Sequence, residues 1–178
     1  TFNANNTWRK RGICMLPVKY GSGYTLVQLE QASALVSIYA TDGTVLINQS
    51  GVEMGQGLVT KVEQIASYVL NVPMEYIRIN LPNTEINPNP PSTGGSTGTQ
   101  YNGLAVKKTC ERVRERLEKF GEEIRKEKGD AWCRQQGVDF WNYPKTGWAT
   151  EVKINDRITL VWQNLVSLAY TRRVSLVE

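Results

Sequence analysis

The sequence predicts an α+β fold in which helices pack on a small sheet of mixed strands, and three observations lead there. Two β-type runs flank an Asp42-Gly43 turn, the pattern of a hairpin. Two longer segments repeat apolar residues at steps of three and four, as helices with one buried stripe do. The order strand, glycine-rich loop, helix occurs twice, which places both loops at one edge of the sheet.

Element by element, Trp8-Arg9-Lys10-Arg11 is a basic lead-in, and residues 13–18 form a short apolar run with β character that ends near Gly21 and Gly23. Residues 24–31 are mixed in pattern. Residues 34–39 read as a strand and residues 44–48 as its returning partner. After the first glycine loop, Leu58, Val62, Ile65, Ala66, Val69 and Leu70 mark a helix over about 57–70, which Asn71-Val72-Pro73 stops. Residues 77–81 alternate apolar and polar as a half-buried strand, then lead through prolines into the second glycine loop. The stripe Val106, Cys110, Val113, Leu117, Phe120, Ile124 defines a second helix ending at Gly129. Trp132, Phe140, Trp141, Tyr143, Pro144 and Trp148 follow with little period and read as an irregular aromatic connection, or a short helix followed by a turn, covering core or sheet edge. A short strand over 151–154, an amphipathic helix carrying Trp162, Leu165, Val166, Ala169 and Tyr170, and a strand over 174–177 complete the chain.

With 178 residues and 40% hydrophobic content, the chain can bury a core as one domain or two small ones. The net charge is +4, and residues 107–128 interleave their lysines and arginines with glutamates. That alternation is a solvated helix face with i,i+4 pairs, and it argues against nucleic acid or membrane as partner. No apolar run has membrane-spanning length, and no signal peptide is expected. Cys14, Cys110 and Cys133 fit neither a disulfide framework nor a metal-ligand spacing, so a reducing, cytoplasmic setting is expected. Position 1 is Thr, which suggests a piece of a longer chain. The sequence has no histidine, which removes both the Ser/His pair and the commonest metal ligand.

The two loops, Gly51-Val52-Glu53-Met54-Gly55-Gln56-Gly57 and the run from Asn87 to Gly98, each lead into a helix N-terminus. Glycine lets backbone approach a ligand closely, and a helix start offers unpaired N–H donors with partial positive charge. Both loops are therefore expected to present bare donors to a large anionic cofactor. The first has no P-loop lysine and no GxGxxG spacing, so nucleotide readings are disfavoured. In the second, Ser96 and Thr97 add hydroxyls between glycines, as in an anion-binding nest. Against these stand a plain tight turn for the first loop and a flexible linker for the second.

The segment Glu53-Met54-Gly55-Gln56-Gly57-Leu58, followed by Thr60-Lys61 and Gln64-Ile65-Ala66, resembles the glycine-glutamine-glycine cofactor segment of the xanthine dehydrogenase and aldehyde oxidase family of molybdenum hydroxylases. The likeness continues in order. Trp8-Arg9-Lys10-Arg11-Gly12 with Pro17-Val18-Lys19-Tyr20-Gly21 resembles the family's lead-in, Asp42-Gly43 its hairpin turn, and residues 92–102 its second pterin-binding loop. Ala169-Tyr170 with Arg173-Val174-Ser175-Leu176 resembles its later helix and strand, and within the family the ends look closer to xanthine dehydrogenase than to carbon monoxide dehydrogenase.

This resemblance implies that residues 1–178 are the second half of a molybdopterin-binding region, a fragment of a larger multidomain chain. Met54, Gly55, Gln56 and Gly57 would bind the cofactor from one side, and Gly95, Ser96, Thr97 and Gly98 from the other, with Gly95 nearest the molybdenum. Tyr24, Thr25, Leu26 and Leu29 would form a substrate wall. The family often has phenylalanine at Tyr24, and alanine or serine at Gly94, Gly95 and Gly98. The implied activity is oxidation of purines such as hypoxanthine and xanthine. An aldehyde oxidase-type hydroxylase and a non-catalytic binding or assembly module are the alternatives. The family's base is a glutamate in a late glycine-rich segment that does not occur in this sequence, so no catalytic residue is assigned and the fragment alone is expected to be inactive. The parent chain would add 2Fe-2S clusters and FAD, and would pair as a homodimer.

Overall fold

The computed structural model describes residues 1–136 and 156–178, with side chains from 162 onward in the last stretch. Its sheet has three strands in the order β1-β2-β3. Strand β1 (Ala34–Ile38) runs antiparallel to β2 (Val45–Gln49), pairing Val36 with Ile47. The turn between them is the one the Asp-Gly pair predicts. Gly43 sits at φ 76°, the Asp42 carboxylate accepts the Thr44 N–H at 2.9 Å, and the Trp162 indole donates to the Gly43 carbonyl at 2.8 Å. A Cβ at Gly43 would lie 2.8 Å from that indole, so conformation and packing both call for glycine.

Helix α2 (Leu58–Leu70) carries the chain from β2 to β3 (Ile77–Ile79), which lies parallel to β2. Its stripe Leu58, Val62, Ala66, Val69 and Leu70 is buried, and the helix ends where Asn71 turns left-handed at φ 57°. Strand β3 is shorter than the alternation suggested, because beyond it Asn80 keeps only one backbone bond, its N–H to the Ile47 carbonyl.

Helix α3 (Gly98–Lys128) buries the whole predicted stripe from Val106 to Ile124 and adds Asn102 and Gly103 to it. It stops at Gly129, where φ is 82°. Cys110 lies inside this stripe, and burial pushes its thiol up to about 12, so it is a packing residue rather than a nucleophile. Helix α4 (Asp130–Gln136) follows at once. Helix α5 (Asp156–Thr171) buries Trp162, Leu165, Val166 and Ala169, whereas Tyr170, expected on the same stripe, is 64% exposed. The chain's end returns to the free edge of β1. Val36 and Glu178 exchange both backbone bonds, and Ile38 donates to Leu176.

Two expectations change at the N-terminal side. Helix α1 (Phe2–Asn5) was not anticipated, and residues 13–18, read as a strand, form none: Ile13 is 100% exposed, and Met15, Leu16 and Val18 are exposed too. Their β pattern has no sheet edge beside it, and a strand is defined by its partner. Most of the aromatic connection over 131–148 and the strand expected over 151–154 lie outside the described residues; Trp132, which is described, packs half-buried on the core. Among the described residues, no helix is long and apolar enough to cross a membrane and no cluster of metal-ligating side chains occurs.

Candidate cofactor site

The first glycine loop leaves β2 through Ser50 and Gly51. Gln49, almost wholly buried, brackets Gly51 with its amide, donating to the Gly51 carbonyl at 2.7 Å and accepting the Gly51 N–H at 2.6 Å. Farther on, the loop is sealed by its own side chains. Glu53 Oε1 accepts the N–H groups of Gly55 and Gly57, and its Oε2 accepts that of Val59. These bonds, Val59 first and then Gly57, hold the carboxyl below the usual glutamate range. Gln56 closes the rest. Its Oε1 accepts the Met54 N–H at 2.6 Å, and its Nε2 donates to the Val52 carbonyl at 2.9 Å.

The expectation of two bare loops is therefore corrected: the α2 N-terminus is already capped by a carboxylate of its own chain, four residues ahead of the N-cap Gly57. Met54 and Gly55 remain at the surface, and nothing stands within 4 Å of a Cβ placed at Gly55, so a flat group can approach there.

The second loop is the open one. Gly95 and Ser96 are consecutive left-handed residues, at φ 57° and 55°, and Thr97 turns its N–H and hydroxyl back to the Gly94 carbonyl. Among the described residues, no acceptor meets the N–H groups of Gly95, Ser96, Gly98, Thr99 and Gln100. Thr97 makes no side-chain cap bond to α3, so this helix start keeps its donors.

The predicted substrate wall meets this loop. Tyr24 donates its hydroxyl to the Ser92 carbonyl at 2.8 Å, and the Gly23 N–H bonds the Gly95 carbonyl at 2.8 Å. A Cβ at Gly94 would lie 2.5 Å from the Tyr24 oxygen, and one at Gly95 would lie 2.9 Å from the Gly23 carbonyl oxygen. These close approaches call for glycine at both positions. Thr25 and Leu26 are exposed beside Tyr24, and Leu29 is half-buried in a 3-10 turn.

The two loops adjoin along a narrow cleft lined by Ser50, Gly51 and Leu58 from one side and Thr93, Thr97 and Gly98 from the other. Its interior of about 20 Å³ holds a single water-sized group, so any large ligand lies across the outer faces of the loops. Sequence reasoning missed Glu53, Ser50 and Asn102. The one signal for Asn102 was a polar side chain one turn before Val106, where the apolar stripe extends back to a buried position.

An α+β domain with adjoining glycine loops, one offering an open set of backbone donors, is a cofactor-binding domain. The chain belongs to the molybdopterin cofactor-binding domain family, whose pattern matches residues 1–178. It is 36% identical over 176 residues to a xanthine dehydrogenase of Drosophila pseudoobscura pseudoobscura, covering 94% of this chain and 13% of that protein. It is 40% identical over 147 residues to aldehyde oxidase 3 of Rattus norvegicus, covering 83% of this chain and 11% of that protein. Among solved structures, the carbon monoxide-reduced Cu,Mo-CO dehydrogenase matches with a TM-score of 0.51 at 26% identity, over 55% of this chain and 12% of that one. The chain thus spans about an eighth of the relatives' length.

The donor set suits the group that this family binds. Molybdopterin carries an anionic phosphate and a pterin edged with acceptors, and unpaired N–H groups at a helix start bind such atoms. Nothing lies within 4 Å of a Cβ placed at Gly98, so a ring can rest on that backbone.

Proposed function

We propose that this chain is the second half of the molybdopterin-binding region of a xanthine dehydrogenase-like hydroxylase that oxidises purines such as hypoxanthine and xanthine, and that it is inactive alone. The open donors of the second loop, set against the first loop across one cleft, are the observation that carries this reading. Gly95, Ser96, Thr97 and Gly98 bind the cofactor through backbone N–H groups, Gly95 nearest the molybdenum. Met54, Gly55, Gln56 and Gly57 bind it from the other side; there Gln56 exchanges its bonds to Met54 and Val52 for bonds to the ligand. Tyr24, Thr25, Leu26 and Leu29 form the substrate wall, with the Tyr24 ring held in place by Ser92.

When bound, the cofactor supplies the redox-active metal at which a substrate carbon is oxidised. This chain's own part is to hold and orient it and to shape one side of the pocket. The base that moves the proton, the 2Fe-2S clusters and the FAD belong to the rest of the parent, a cytoplasmic homodimer. Aldehyde oxidation is the second reading, favoured by the likeness to the rat aldehyde oxidase and by an uncharged wall that offers a purine no ionic partner.

The test uses the full-length parent. Molybdenum content and acceptor reduction with xanthine, or with an aldehyde, are compared between wild type and Gln56→Ala. Molybdenum and xanthine turnover that both fall in the variant support the reading. Turnover of aldehyde alone selects the second, and a parent without molybdenum despite intact cofactor supply leaves a binding or assembly module.

A further inference from the structure

Asn102 is an anomaly in α3. The stripe that runs back from Ile124 through Val106 reaches position 102 at a site only 7% exposed, yet the residue there is polar. Both polar atoms of its amide are engaged. Oδ1 accepts the hydroxyl of Ser50 at 2.9 Å, and Nδ2 donates to the Gly98 carbonyl at 2.9 Å. Ser50, itself 5% exposed at the exit of β2, is fixed in turn by Ser33, whose N–H bonds its hydroxyl at 3.1 Å. A Cβ at Gly51 would stand 2.6 Å from Asn102 Nδ2, so the first loop leaves the sheet directly against this side chain. One partly buried chain of bonds therefore runs from the residue before β1 to both glycine loops.

The bond to Gly98 has a directional effect. In a planar trans peptide the C=O and the following N–H point opposite ways. The Gly98 carbonyl, already in the α3 ladder, takes Asn102 Nδ2 as a second donor, which reinforces the orientation in which the Thr99 N–H points away, among the donors of the loop that have no partner. We propose that Asn102, held by Ser50, is a positioning residue for the cofactor: it fixes the peptide that presents the Thr99 N–H and keeps the second glycine loop in register with the first. The inference rests on the proposed cofactor-binding role of residues 95–98.

The test compares the full-length parent as wild type, Asn102→Leu, Ser50→Ala and Val106→Ala. The last truncates the core one turn along α3 and leaves the bridge intact. Three quantities are read: Tm of the cofactor-free protein, the rate at which molybdenum leaves the holoenzyme, and amide exchange over residues 95–100 with and without cofactor. Wild type should gain protection there on loading. Asn102→Leu should release molybdenum about tenfold faster, the scale of one buried hydrogen bond, and lose that protection. Val106→Ala should keep both despite a comparable fall in Tm. Ser50→Ala should change release in the same direction as Asn102→Leu, and it decides the question if the latter does not fold. Release that simply follows Tm across all variants overturns the positioning role. A molybdenum-loaded wild type that gains no protection over 95–100 overturns the site itself, and the positioning role with it.

Discussion

Glu53 does for α2 what a bound anion would do, satisfying three backbone donors with one carboxylate. Its pKa lies below the ordinary value of 4.5 because the N–H groups of Val59 and then Gly57 favour the charged form. A depressed carboxyl adds stability that is complete above its unfolded-state pKa and fades as pH falls through the folded value. Glu53→Gln should therefore lower Tm at pH 7, with the gap shrinking as pH falls below the ordinary glutamate value and closing once Glu53 itself is protonated. A gap of constant size across that range in thermal melts would show that charge at Glu53 is irrelevant. The distinction also explains Gln56: with Glu53 holding the turn, its amide is free to trade partners without unravelling the helix start.

At the scale of elements, α2 and α3 meet where Gly103 faces Ile65. A Cβ at Gly103 would approach Ile65 Cδ1 to 2.7 Å, but that methyl is the far end of a flexible side chain. Alanine in a helix interior gains about 1 kcal/mol over glycine, which offsets the small shift required. Gly103→Ala should change stability by less than about 1 kcal/mol, whereas Gly103→Val, with two branches at the contact, should cost about 2–3 kcal/mol. Denaturant unfolding of both variants measures this, and equal losses would mean the helices cannot part at all. The helices were readable in the sequence because their apolar spacing is a local signal, and so was the hairpin, whose turn needs glycine at Gly43. Residues 13–18 misled because a short apolar run with β character reports a tendency to pair, and pairing is decided elsewhere in the molecule. The glycine loops were readable as loops. Which of them kept its donors depended on where the Glu53 side chain folds back, and composition does not encode that.

At the scale of the molecule, residues 8–20 form an arm with Trp8, Ile13, Met15 and Val18 in solvent. Apolar groups left contiguous in water associate. Ile13→Asp combined with Leu16→Asp should reduce concentration-dependent association in sedimentation without lowering Tm, because neither residue touches the core. Association unchanged by the pair would place the contact elsewhere. The opposite end of the chain bears on a different event. Residues 174–178 cover the outer side of β1, yet on a ribosome adding about 5–20 residues per second they emerge on the order of 10 s after that strand. During that interval β1 is an unpaired edge, open to the neighbouring nascent chain or to a chaperone. The order of synthesis thus sets a window of misassembly risk that the finished fold no longer shows.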